Sequence, residues 1–210
     1  GPDRGRVYDE RYAKGHTGAM WDHIEKPLLT EIFSRHGGRD RSCLDFACGT
    51  GRITSLLEPC FGSVTGLDIS ADMLAEARDK CPTAEFINGD LTVEEDLIGE
   101  FDVVTSFRFF PNAEPDLRAR VLEVLVKHVK PGGVMIVNNH QNAHSLLGRM
   151  RSIAPGPRRN FMKPDELPQL LGRHGLSIVH TVGFSFVPVW LDWSLIPCGL
   201  RVAIEKNLIT

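Results

Sequence analysis

The sequence predicts a doubly wound α/β domain, and three observations carry that expectation. Short apolar runs alternate with helical stretches, a small-residue turn follows the first run, and neither repeat nor linker divides the 210 residues. The runs are SCLDFA (42–47), SVTGLD (63–68), AEFING (84–89), FDVVTSF (101–107) and GVMIVNNH (133–140). Each is bounded by Gly, Asp, Asn or Pro and reads as a buried parallel strand.

The elements follow in order. Residues 1–20 lack apolar periodicity and are expected to form a flexible arm or lid ahead of a single domain spanning 21–210; Gly1-Pro2 reads as a protease-cleavage scar. Trp21, Ile24, Leu28, Leu29, Ile32 and Phe33 recur at three- and four-residue steps, which predicts a helix over 20–35 stopped by His36-Gly37-Gly38. Helices are expected near 52–58, over 70–80 with Ser70 as N-cap, and over 115–130, opened by Pro115-Asp116 and stopped by Pro131-Gly132-Gly133. Residues 141–164 carry five basic side chains and no acidic one, and Pro155-Gly156-Pro157 breaks any helix there. A helix resumes at about 164–173. The last two strand candidates, 176–188 and 200–207, are joined by a link too short for a helical crossover, so an antiparallel edge hairpin is expected. The result is a seven-stranded, mostly parallel sheet with helices on both faces.

Composition narrows the function classes. With 42% apolar and 24% charged residues the chain can enclose a real core, and a net charge of −3 with a pI near 6.3 offers no field for a phosphate backbone. Nucleic acid is therefore not an expected partner. Five scattered cysteines show no metal-type spacing, so buried thiols in a reducing compartment are expected and no metal site. The apolar stretch 184–200 is cut by Pro188, Asp192 and Pro197, and residues 1–20 show no charged-then-apolar signal pattern. No membrane association is expected, and the cytoplasm is the expected compartment.

The most informative segment is LDFACGTGR (44–52), a strand running into a turn of small residues and then a helix. Ala47, Gly49 and Gly51 let a ligand approach the main chain, with helix N-terminal amides facing it. The second run ends in GLDIS (66–70), which puts Asp68 at a strand tip where a carboxylate can accept from both hydroxyls of a ribose. Asp90 in NGD (88–90) follows the third run at the same sheet edge, and Asp45 lies in the first. Three carboxylates in one crevice suit a sulfonium and an ammonium better than a pyrophosphate. A dehydrogenase would want G-x-G-x-x-G/A, but from Gly49 the last position is Thr54 and a second nucleotide-binding half is missing.

At these residues the chain resembles the class I S-adenosylmethionine-dependent methyltransferases, a Rossmann-like family. LDFACGTGR is similar to their first motif, GLDIS to the ribose-binding acid, NGDL (88–91) to the acid near the adenine amine, FDVVTSF to the fourth strand and VKPGG (129–133) to the turn before the fifth. The matches keep the family's order across roughly 40–140. They look most like the small bacterial branch acting on small molecules, whose N-terminal arm carries a tyrosine pattern seen here as Tyr8-Asp9-Glu10-Arg11-Tyr12. Ala47 departs from the glycine many members have. The resemblance implies S-adenosylmethionine as cofactor, with S-adenosylhomocysteine as product. Asp45 would hold the methionine amine, Ala47, Cys48 and Gly49 would line its tail, Asp68 would hold the ribose, and Ile69 and Met73 would sandwich the adenine. Asp90 and Leu91 would meet the adenine edge, Ser106 and Phe107 would offer backbone to the ammonium, and Tyr12 would close over the carboxylate. As plainer roles, Asp45 and Asp90 could cap strand ends, Met73 could be core, and Tyr12 could be a surface aromatic.

Methyl transfer from a sulfonium is an in-line displacement, so positioning of the acceptor dominates and a base is optional. The groups expected within reach of the methyl lie after the fourth and fifth strands: Arg108, Phe109 and Phe110 on one side, Asn138, Asn139, His140, Asn142 and His144 on the other. His140 is the base candidate because imidazole titrates near neutrality, with a structural histidine as the alternative. Arg108 either steers an anionic substrate or pairs with a carboxylate; Phe109 and Phe110 form an apolar wall or core. The Trp-bearing segment 187–199 would be covered by ligand, by the molecule's own core, or by a second copy in a homodimer. The expected activity is methylation of an amine or hydroxyl on a small molecule. A non-catalytic donor-binding module and a tRNA or protein methyltransferase stand as the alternatives.

Overall fold

The computed structural model describes residue 18, residues 20–139, residues 162 and 163, and residues 165–183. A π-helical turn, Trp21–Glu25, leads into α1 (Lys26–His36). Pro27 has no N–H to return to the preceding turn, and the turn widens there, with the Lys26 N–H donating to the Trp21 carbonyl. Then follow β1 (Gly38–Phe46), α2 (Thr54–Leu57), β2 (Phe61–Asp68), α3 (Ala71–Lys80) and β3 (Glu85–Asn88). A 3-10 turn, Glu95–Leu97, precedes β4 (Phe101–Ser106), α4 (Pro115–Lys127) and β5 (Val129–Val137), and α5 (Glu166–Arg173) lies further along the chain.

The strands pair in the order β3-β2-β1-β4-β5, all parallel. β1 sits in the middle and is buried on both faces, because its alternate residues enter different cores. Cys43 packs with Val64 and Val103 against Leu29 and Phe33 of α1 and Leu56 and Leu57 of α2. Leu44 and Phe46 pack with Leu67 and Val104 against Leu122 and Leu125 of α4 and Leu171 of α5. Helices thus cover both faces, as the apolar runs require. At the N-terminal edge of the sheet the Asp102 carboxylate accepts from the Ser42 N–H, the Ser42 hydroxyl and Lys130 Nζ, each at 2.8 Å, joining β1, β4 and β5 below the site.

Two expectations need correction. The described residues form five strands, not seven, and no antiparallel hairpin is among them. Residues 176–183 carry no strand, and Ile178 and Val179 are exposed there, paired with no strand among the described residues. The rest of that hairpin, with 200–207, lies outside the described residues, as do the arm residues 1–17 and the segment 187–199. The other correction concerns Pro131-Gly132-Gly133, which is not a stop between helix and strand. α4 ends at Lys127, and β5 takes these residues in across a register shift opposite Phe101 and Val103, with Gly132 at φ +75°. Among the described residues no helix is long and apolar enough to cross a membrane.

Candidate functional site

From β1 the chain winds outward through β2 to β3, then returns across the sheet to β4 and β5. The loops after β1 and β4 consequently diverge and leave a crevice at their C-terminal ends, where open α/β sheets take ligands. A cavity of about 520 Å³ lies there.

Its floor is the turn after β1. Ala47, Gly49 and Gly51 all have left-handed backbones, with φ of +56°, +56° and +75°. The two glycines answer different needs. A Cβ on Gly51 would press on Ala77 Cβ and Cys81 Sγ at 3.1 Å, so its hydrogen lets the turn pack on α3; a Cβ on Gly49 would meet nothing within 4 Å, because that face opens into the cavity.

Asp68, at the end of β2, holds this turn. Its Oδ2 accepts the Gly49 N–H and its Oδ1 the Ser70 N–H, both at 2.9 Å. Ser70 caps α3 by accepting from the Met73 N–H, which brings Met73 to the cavity wall. Asp45 reaches the cavity from below. The register pairs it with Thr105, whose hydroxyl donates to Oδ1 at 2.9 Å, while the Thr54 hydroxyl donates to Oδ2 at 2.7 Å. Burial pushes its carboxyl up to about 6; the two threonine hydrogen bonds oppose that rise, and the nearby Asp68 charge adds to it. Ala47 and Cys48 line the same floor, and burial, with Asp45 and Asp68 nearby, raises the Cys48 thiol far above its ordinary range.

Not every expected group gathers here. Asp90 is exposed and bonded within its own turn, accepting from the Thr92 N–H at 2.9 Å and the Thr92 hydroxyl at 2.7 Å; it does not line the cavity. β3 stops at Asn88, and it is Asn88 Nδ2 and the Gly89 N–H that meet the Asp68 carbonyl. Leu91 is core, as is Phe110, which is fully buried and edge-on to Phe109. Ile69 is 74% exposed beside Asp68, outside the cavity wall. Ser106 is buried with its hydroxyl unpartnered among the described residues, and Phe107, edge-on to Phe33, lines the cavity instead. Arg108 and Phe109 line it too, whereas Asn138 rather than Asn139 does so after β5. Tyr12, His140 and His144 lie outside the described residues.

Several wall residues were not expected from the sequence, three of them charged or aromatic. Trp21 and Glu25 come from the π-helical turn, and the Arg52 guanidinium stacks 3.7 Å from the Trp21 ring centroid. Arg52 was in view as the last residue of LDFACGTGR, but nothing in a helical period says that Trp21 faces a cavity rather than the core. The cavity therefore differs in charge from the niche the sequence suggested: Asp90 is not on its wall, and besides Asp45 and Asp68 on the floor its charged residues are Glu25, Arg52 and Arg108.

Comparisons with known proteins agree with this geometry. Residues 43–133 match the model of a methyltransferase domain. The chain is 38% identical over 134 residues to dTDP-3-amino-3,6-dideoxy-alpha-D-glucopyranose N,N-dimethyltransferase of Streptomyces fradiae; the match takes in 61% of this chain but only 51% of that enzyme's length. It is 25% identical to ubiquinone biosynthesis O-methyltransferase of Methylococcus capsulatus, over 83% of each chain. In fold it is similar to magnesium protoporphyrin IX methyltransferase of Synechocystis with bound S-adenosylhomocysteine, with a TM-score of 0.66 at 19% identity over 87% of this chain and 89% of that one.

Proposed function

We propose that the chain is a class I S-adenosylmethionine-dependent methyltransferase that methylates an amine or hydroxyl of a small-molecule acceptor. The observation that carries this reading is the Asp68 carboxylate at a strand tip, locked to the Gly49 N–H beside an open main-chain face. Carboxylates beneath and beside that face suit a cationic donor, and an arginine on the far wall suits the one anionic group the donor has.

S-adenosylmethionine supplies a methyl group on a positively charged sulfur, which an entering lone pair displaces in line. The chain's own work is holding and excluding. Asp68 has lone pairs left for the ribose hydroxyls beyond the two amides it accepts. The turn at Ala47, Cys48 and Gly49 presents main chain to the methionine tail, and Arg52, braced on Trp21, receives its carboxylate. Met73 and the exposed Ile69 flank the adenine. Phe107 and Phe109 wall the acceptor side and keep water from the reacting centre. An amine acceptor enters neutral and loses its proton after transfer; a hydroxyl needs a base, the role in which the sequence casts His140.

What supports an enzyme over a non-catalytic binding module is that, among the described residues, neither Phe109 nor Phe110 blocks the acceptor side. Phe110 turns into the core and Phe109 forms wall rather than plug. The test is incubation with S-adenosylmethionine and a panel of amine and hydroxyl metabolites, following S-adenosylhomocysteine by mass spectrometry. Acceptor-dependent product formation supports the reading; tight donor binding with no turnover across the panel supports the binding module.

A further inference from the structure

The geometry points to an acceptor that carries an anionic group, a carboxylate or a phosphoryl, received by the guanidinium of Arg108. This deepens the function proposed above and rests on it.

Arg108 follows β4 directly and has a φ of +64°, a conformation that costs a side-chain-bearing residue roughly 1–2 kcal/mol. Such strain persists where the surroundings over-determine it. Here two asparagines do so, both from the cavity wall. Asn138, after β5, accepts the Arg108 N–H at 2.7 Å through Oδ1, and Asn112 donates its side-chain amide to the Arg108 carbonyl. The backbone of one residue is thus gripped at both its donor and its acceptor. A glycine would take this φ without strain, so what the grip secures is the side chain.

That side chain lines the cavity beside Phe107 and Phe109 and reaches across to Glu25, with Arg108 Nη2 3.7 Å from Glu25 Oε2. The ion pair is longer than the 2.7–2.9 Å of a charge-assisted hydrogen bond, so a bidentate oxyanion competes favourably for the same guanidinium. Glu25 comes from the N-terminal turn, outside the sheet, and is, among the described residues, an anion facing this guanidinium that an arriving acceptor would displace. Arg52 lies on the Trp21 side, where it serves the donor's carboxylate. The two arginines therefore answer two different anions. The aromatic walls next to Arg108 suit an acceptor whose anionic group is attached to an apolar or ring-bearing body.

The test uses the protein saturated with S-adenosylhomocysteine, with benzoate and phenyl phosphate as anion probes and melting temperature as the readout. Two variants report on the pair. Arg108→Gly removes the guanidinium while keeping the left-handed backbone, and Glu25→Gln removes the competing charge. The expected result is a dose-dependent rise in melting temperature with one or both anions, weakened about tenfold or more in Arg108→Gly and strengthened in Glu25→Gln. The larger of the two responses tells carboxylate from phosphoryl. No response in the wild type, an equal response in Arg108→Gly, or no gain in Glu25→Gln overturns the inference. Failure of S-adenosylhomocysteine itself to raise the melting temperature is a separate result and overturns the function on which the inference rests.

Discussion

Asp68 and Gly49 are 19 residues apart in sequence, yet the carboxylate of one accepts the main-chain N–H of the other at 2.9 Å. The bond ties the tip of β2 to the turn after β1, and the second carboxylate oxygen starts α3 through the Ser70 N–H. Removing the carboxylate leaves two backbone donors to find other partners, at about 1–3 kcal/mol each where they stay buried. Asp68→Ala is expected to lower unfolding stability in urea by that order without any ligand present. Asp68→Asn, which keeps one acceptor oxygen, is expected to fall between the two.

The left-handed turn separates stability from ligand access. Ala47→Gly relieves a φ of +56° and is expected to stabilise the protein by about 1 kcal/mol, read from the urea midpoint. Gly49→Ala adds comparable strain and also places a methyl group in open cavity space. It is expected to weaken S-adenosylhomocysteine binding as well as stability. Gly51→Ala presses on Ala77 and Cys81 and is expected to act mainly on stability.

Asp45 sets a pH dependence. Its folded-state carboxyl titrates at about 6, against 3.8 for an unperturbed aspartate, so between those values the native state binds more proton than the unfolded chain. Stability therefore falls as pH rises through that window, by about 3 kcal/mol at ~1.4 kcal/mol per tenfold change in proton affinity. Asp45→Asn keeps the shape and removes the charge. Chemical denaturation of both proteins from pH 4 to pH 7 is expected to show the variant gaining on the wild type up to about pH 6 and holding its advantage above it. A constant difference across the range would show that Asp45 keeps the ordinary acidity of a solvated carboxylate.

Asp102 supplies the control at the opposite edge of the sheet. Lys130 and Ser42 hold its carboxyl well below the usual range, so its contribution is present above the unfolded value and is lost as pH falls through the acid region, the reverse of Asp45. Asp102→Ala is expected to destabilise the fold by about 1–3 kcal/mol while leaving the affinity for S-adenosylhomocysteine unchanged, since none of its partners line the cavity.

The five parallel strands were legible because each is a short apolar run between turn residues, and with them the place of Asp68 at the tip of the second; its bonds to the Gly49 and Ser70 N–H groups were not, because they depend on how the turn after β1 folds back onto that tip. Asp90 was not legible either, because the same NGD residues fit a ligand contact and a local turn closed on Thr92 equally well. Phe109 and Phe110 are chemically alike, and only the path of the loop after β4 decides that one lines the cavity and the other fills the core. Trp21 and Glu25 were hidden for a related reason: a widened turn before Pro27 rotates the start of the helix, and a regular 3.6-residue period cannot anticipate that.

Calorimetric titration of S-adenosylhomocysteine into the wild type and Asp68→Ala, at a temperature where both are folded, tests the central claim most directly. Saturable one-to-one binding to the wild type that Asp68→Ala reduces by two orders of magnitude or so is the expected result, as for loss of a charged acceptor worth about 3 kcal/mol. Equal affinity in the two proteins, or no binding to the wild type, would contradict it.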